Sequence, residues 1–172
     1  MQLSGKRPSL VFRSVNRIGQ PGHNPGLQRH HLLPLQMIGI PSLGNLLNRL
    51  GLDRLGMHDF RRNGLLLPAR EDAARRIGLP LHRGPHRSYS EMVMERSGQI
   101  EAGWNRARKA SPLIADRDAL MRFDLLQRAL RRRLLDPARW SRCPLNRRDP
   151  ALDFSNLDAM AELLWGTTQP NA

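Results

Sequence analysis

Histidine pairs are the feature of this sequence with the clearest chemical potential. His30 and His31 are adjacent and precede an apolar run, and His82 and His86 are spaced as H-x3-H. A neutral imidazole can bind a metal ion or accept a proton, and its pKa of about 6.5 lies close to neutral pH. Because residues four apart share one face of a helix, the second pair could hold one metal ion. The pairs could therefore serve in packing, in metal binding or in acid–base chemistry.

Each pair also has a simpler interpretation. An isolated H-x3-H is more often a polar loop before a helix than a metal site. His30 and His31 could equally be the partly buried start of a strand, and His23 and His58 are interpreted as ordinary surface or loop residues. The choice between these interpretations depends on what else the chain could bring to the pairs.

Charge points to an anionic partner. Lys and Arg number 28 against 15 Asp and Glu, for a net charge of +13. Most of these cations are arginines, whose planar guanidinium matches phosphate oxygens, so nucleic acid is the expected partner. Of the two nucleic acids, DNA is expected ahead of RNA. The same composition could also be a solvated, idle surface. Cys143 is the single cysteine, which excludes an intramolecular disulfide and a zinc site built on thiolates.

Local patterns predict an α+β chain that is mainly helical. Residues 1–26 are predicted to be a loosely ordered arm, and Asn63-Gly64 is a turn signal before a buried strand at Leu65 to Leu67. Helices are predicted at five places: 43–55 with an interruption at Gly51, 71–77 ending at Gly78, about 85–109, 112–134, and 156–165.

Three ordered motifs resemble those of a known nuclease superfamily. "QRHHLLP", "RRNGLLLP" and "LPLHRGPHRSYSEMV" are similar to successive motifs of the HNH/endonuclease VII superfamily, most closely its AHH branch, which is known from bacterial nuclease and toxin domains. The resemblance covers about residues 27–108. It implies a ββα-metal (His-Me finger) core, in which a β-hairpin and a helix grip one divalent ion, with additional C-terminal helices.

The resemblance also implies a role for each matching residue. His30 would bind the metal together with His82 and His86, and His31 would be the general base. Asn63 corresponds to the family's central asparagine, which orients the base or pins the loop that carries it. The ion would be Mg, Mn, Ni or Zn, since three imidazoles do not fix its identity.

The sequence departs from the family pattern at two places. Arg29 stands where the family name implies alanine, and 31 residues separate His31 from Asn63, which is a long insertion. Arg29, Arg83 and Arg87 flank the histidines and could clamp neighbouring phosphates, or could be idle.

These expectations together define a domain organisation and a function. We expect a nuclease core over 27–109, a helical extension over 110–165 and a flexible tail over 166–172. The expected function is metal-dependent endonuclease cleavage of DNA or RNA with little sequence preference, in the cytoplasm because no signal peptide is recognised. A role as a bacterial toxin or effector would add an immunity protein as a partner. The alternatives are a non-catalytic, basic nucleic-acid-binding module with a structural metal site, and an inert basic helical protein.

Overall fold

Two antiparallel strands form the only sheet in the part of the chain that the structure describes, residues 8–82 and 87–140. In this computed structural model, strand β1 spans Leu27–His31 and strand β2 spans Gly64–Pro68. Leu27 pairs with Pro68 and His31 with Gly64, so the end of β1 lies beside the start of β2. The connection, residues 32–63, contains several helical segments and is not a tight turn.

Helices supply most of the regular structure in the described ranges. The α-helices are α1 (Pro41–Leu50), α2 (Leu52–Leu55), α3 (Phe60–Asn63), α4 (Glu71–Ile77), α5 (Arg87–Ala107), α6 (Pro112–Leu134) and α7 (Pro137–Trp140). Two short 3-10 helices lie at Phe12–Ser14 and Leu35–Gly39.

Helix α1 shows why these segments are helical. Leu43, Leu46, Leu47 and Leu50 recur at helical spacing, and all four are buried. Pro41 stands in the first turn, where its missing N–H costs no hydrogen bond. The helix ends at Gly51, whose φ of 88° is a conformation that side chains rarely adopt.

The longest helices, α5 and α6, pack against each other and close the core. Each contributes a stripe of buried side chains, with Val93 and Ile100 on α5 and Phe123 and Leu130 on α6. Those side chains belong to one apolar cluster that also contains Leu65 and residues of α1. The small sheet is therefore supported from behind by helices, which fixes the position of its histidines.

The predicted helices and strand agree with the structure where they can be compared, but Asn63-Gly64, predicted as a turn, is instead the end of α3 and the extended start of β2. The mainly helical α+β class is confirmed, as are the interruption at Gly51, the strand after Asn63 and the helix over 112–134. Gly78 ends α4 in the left-handed conformation, as predicted. The predicted helix over 156–165 lies outside the described residues, as do residues 1–7 and 83–86.

The described part of the N-terminal segment, residues 8–26, is attached to the core by hydrogen bonds. Asp59 Oδ1 accepts from Leu10 N at 3.0 Å, and Phe60 N donates to Leu10 O at 2.7 Å. The Asn16 amide nitrogen donates to Leu27 O at 2.9 Å, which ties the segment to β1. Among the helices in the described ranges, none has the length and apolar composition needed to cross a bilayer.

Candidate active site

Strand β1 places His30 against the core. Side chains alternate along a strand, so Gln28 and His30 share a face and His31 points to the other. His30 is 3% exposed, and its ring packs edge to face on Tyr89 with centroids 4.8 Å apart. The Tyr89 hydroxyl donates to Leu32 O at 2.8 Å, and burial raises the pKa of Tyr89 well above its usual range. Tyr89 therefore stays neutral and holds the backbone just after the histidine pair.

His82 completes a pair of imidazoles with His30. Its Nε2 lies 3.1 Å from His30 Nδ1, and its backbone N–H donates to Pro68 O at the end of β2. His82 Nδ1 lies 3.0 Å from the amide oxygen of Gln28. Because an amide oxygen only accepts, this contact favours the tautomer of His82 with its proton on Nδ1, which leaves the Nε2 lone pair on the side of His30.

His31 is the last residue of β1 and lies on the opposite side of the strand. Its ring stacks on Phe12, with centroids 3.8 Å apart and an interplanar angle of 7°. Partial burial lowers the pKa of His31 below its usual range, and electrostatic interaction with His58 and Arg29 lowers it further. His31 is thus kept as a neutral imidazole that can accept a proton.

A cleft of about 720 Å³ brings the three histidines together. His30, His31 and His82 all line it, and two basic side chains, Arg29 and Arg87, stand at its wall. Arg87 forms an ion pair with Glu91, Nε to Oε1 at 3.0 Å. Of the predicted site residues, His86 and Arg83 lie in the segment 83–86, outside the described residues.

Asn63 lies at the end of α3, fully buried, where it holds the loop that leaves β1. Its Oδ1 accepts from Leu33 N at 2.7 Å, and its Nδ2 donates to Leu33 O and Met57 O, both at 3.1 Å. Its backbone carbonyl accepts from Leu32 N at 2.8 Å. These contacts fix the backbone directly after His31, and none of them is with the imidazole ring.

Helix α6 also contacts Asn63 and the start of β2. Gln127 Nε2 lies 3.4 Å from Asn63 Oδ1 and 3.2 Å from Leu55 O. Arg131 Nη2 donates to the carbonyls of Arg61 and Gly64 at 2.8 Å and 3.0 Å. The helix that the sequence analysis assigned to an extension thus hydrogen-bonds Asn63 and the start of β2.

The donor set suits a divalent cation, although the described residues contain no group of three or more His, Cys, Asp or Glu that could hold one. In a tetrahedral zinc site with bonds of roughly 2.0–2.1 Å, two ligand nitrogens stand about 3.3 Å apart. The 3.1 Å between His30 Nδ1 and His82 Nε2 is close to that spacing. These two imidazoles could therefore share an ion, with His86 the third ligand that the sequence predicts.

The sequence alone did not identify several residues that contact the site histidines or Asn63. Gln28 had a usable signal, since it precedes His30 by two positions and so shares its strand face. Tyr89 was recognised only as an apolar helix position. Phe12 and Gln127 gave no signal, because each meets the site from a distant part of the chain.

Comparison with known proteins places the chain in a family. The model of the AHH family, described as a nuclease family of the HNH/ENDO VII superfamily with conserved AHH, matches residues 11–130. That span exceeds half of the 172 residues and extends beyond the predicted core at both ends. Neither the search of curated proteins nor that of solved structures gives a match. The chain thus belongs to the AHH nuclease family of the HNH/endonuclease VII superfamily.

Proposed function

We propose that this nuclease is a divalent-metal-dependent endonuclease that hydrolyses phosphodiester bonds in DNA. The observation that supports this best is that β1 ends at the histidine pair, so that the two side chains lie on opposite sides of the strand and still line one cleft. His30 turns toward His82, while His31 turns away from that pair, and all three line one cleft. A metal ligand and a general base can thus act side by side without competing for the same ion.

The proposed metal ligands are His30, His82 and His86. When bound, a divalent ion would polarise the scissile phosphate and relieve the negative charge on the leaving oxygen. Gln28 and Tyr89 hold the first two ligands in place, the former at the His82 ring and the latter against the His30 ring. With α5 behind the two strands, this would be the ββα-metal arrangement.

The proposed base is His31. Its neutral ring would accept a proton from a water molecule in line with the leaving oxygen. Asn63 acts as a positioning residue, because its hydrogen bonds go to the loop that follows His31. No 2′-hydroxyl is needed when water is the nucleophile, so DNA satisfies the chemistry, with RNA as the alternative substrate.

The proposed contacts with the substrate are to its backbone. Arg29 and Arg87 stand at the cleft, Arg83 is adjacent in sequence, and the chain carries a net charge of +13. Guanidinium groups recognise phosphates irrespective of base, so we expect little sequence preference and a cleavage rate that falls as salt rises.

Cleavage of supercoiled plasmid tests this proposal. Purified protein would be assayed with EDTA and with added magnesium, manganese, nickel or zinc, beside a parallel RNA substrate. Metal-dependent nicking of the plasmid supports the proposal. Cleavage of RNA alone would show that RNA, and not DNA, is the substrate. Protein that binds DNA and metal but cuts neither substrate would instead be a non-catalytic binding module.

The contact between Gln28 and His82 gives a prediction about the metal. Gln28→Leu removes the acceptor that fixes the His82 ring, and we expect metal affinity to fall about 10- to 100-fold, as for other outer-shell partners of ligating histidines. Gln28→Glu keeps an acceptor and should bind at least as tightly as wild type. Competition with a chromophoric zinc or nickel chelator measures both affinities.

Gln20→Leu is the matched control for this prediction. Gln20 is exposed and lies outside the cleft, so the same substitution there should leave metal affinity unchanged. Equal affinity in wild type and Gln28→Leu would show that Gln28 does not orient His82.

A further inference from the structure

The His31 ring lies face to face with an aromatic ring from the N-terminal segment. Phe12 stacks on it with centroids 3.8 Å apart and planes inclined by 7°. The two residues are 19 positions apart in the sequence. The contact is therefore made by the tertiary fold and not by local chain geometry.

Phe12 is itself held on both sides. The Arg29 guanidinium donates from Nη1 to Phe12 O at 2.9 Å, which ties the 3-10 turn to β1. The Phe60 ring meets Phe12 edge on, with centroids 5.1 Å apart and planes inclined by 73°. The Phe60 ring also lies so close to Gly64 that a Cβ at this position would collide with it. The strand residue opposite His31 must therefore lack a side chain for this aromatic cluster to form.

The stack has a consequence for the orientation of the base. Rotation about the second side-chain torsion of histidine is broad, so a ring needs a contact to fix its plane. A catalytic base is usually oriented by a hydrogen bond from a third group. Within the described ranges, no side chain or backbone group forms a hydrogen bond with either ring nitrogen of His31. Phe12 is the aromatic neighbour that restricts this ring.

Phe12 restricts His31 without closing the cleft. His31 is among the residues that line the cleft, whereas Phe12 is not. Phe12 therefore covers one face of the imidazole and leaves another part of the ring accessible to a substrate. Phe12 thus contacts His31 from the side away from the cleft and does not block access to the imidazole.

We infer that Phe12 is a positioning residue for His31, and that its aromatic ring holds the imidazole plane in the orientation needed for proton transfer. This inference rests on the proposed function, in which His31 is the base. Stacking fixes the plane while leaving both ring nitrogens chemically free, so the effect should fall on the chemical step and not on binding of the substrate.

The test compares aromatic and non-aromatic side chains at position 12. Phe12→Leu keeps an apolar side chain but removes the flat ring, and we expect kcat for plasmid nicking to fall roughly 10- to 100-fold with KM unchanged, because small misplacements of a reacting group are costly. Phe12→Tyr keeps the aromatic ring, so its kcat should equal the wild-type value. Phe12→Met is a second non-aromatic variant, which serves if Phe12→Leu fails to fold.

Proton NMR of the metal-stripped protein gives a second readout that does not depend on activity. The carbon-bound ring protons of His31 should be shifted upfield by the Phe12 ring in wild type and in Phe12→Tyr, and should move back in Phe12→Leu. Loss of this shift together with loss of kcat supports the inference. Unchanged kcat in the non-aromatic variants, or faster cleavage by them, overturns it, whereas wild-type protein that never cuts overturns the proposed function itself.

Discussion

His31→Ala is expected to cleave plasmid about 10²- to 10⁴-fold more slowly than wild type, the usual contribution of a general base, while it still binds its ion. The reason is the strand geometry, which turns His31 toward Phe12 and His30 toward His82. Removing the His31 side chain deletes the proton acceptor and leaves the imidazole pair intact. Two measurements on one sample check this expectation: the initial cleavage rate at saturating metal, and the amount of metal bound per chain.

His23→Ala is the matched control for His31→Ala. His23 lies outside the cleft, so this variant should cut at the wild-type rate. Retention of full activity by His31→Ala would remove His31 from the mechanism. Loss of the ion together with activity would show that the adjacent histidines do not have separate roles.

Asn63→Ala is expected to lower the free energy of unfolding by about 3 kcal/mol or more, because each buried polar group left without a partner costs about 1–3 kcal/mol. The substitution leaves three buried backbone groups without the hydrogen bonds that Asn63 makes to them: Leu33 N–H, Leu33 C=O and Met57 C=O. It also frees the loop behind His31, so we expect slower cleavage even from the fraction that stays folded. Urea unfolding followed by fluorescence of the largely buried Trp104 measures the loss of stability.

Asn48→Ala separates this effect from the general cost of losing an amide. Asn48 is exposed on α1, where alanine is the better helix former, so the variant should be at least as stable as wild type. If Asn63→Ala were as stable as Asn48→Ala, the hydrogen bonds of Asn63 would not be what holds the loop.

Elements with strong local signals could be predicted from the sequence. The leucines of α1, the Pro112 start of α6 and the Gly78 end of α4 are each determined within a few residues, and the structure shows all three. The buried strand after Asn63 was also predictable, because its apolar run is bounded by Gly64 and Pro68. Periodicity and caps act locally, so a single sequence is enough to read them.

Contacts between distant segments could not be predicted in this way. No pattern around Phe12 indicates that its ring stacks on His31, and none around Gln127 indicates a hydrogen bond to Asn63, 64 residues away. The residues 32–63 that looked like an insertion contain α1, whose leucines belong to the same core as the strands. Such contacts depend on how helices pack, and propensity and spacing do not encode that packing.

Metal dependence of cleavage is tested by a metal titration of stripped wild-type protein, in which bound ion per chain and plasmid nicking rate are measured together. We expect one ion per chain, with nicking that rises as the site fills and stops when EDTA is added. Nicking that persists without bound metal would show that His30, His82 and His86 do not hold a catalytic ion. Protein loaded in turn with magnesium, manganese, nickel and zinc that cuts neither DNA nor RNA would show that the chain is not a metal-dependent endonuclease.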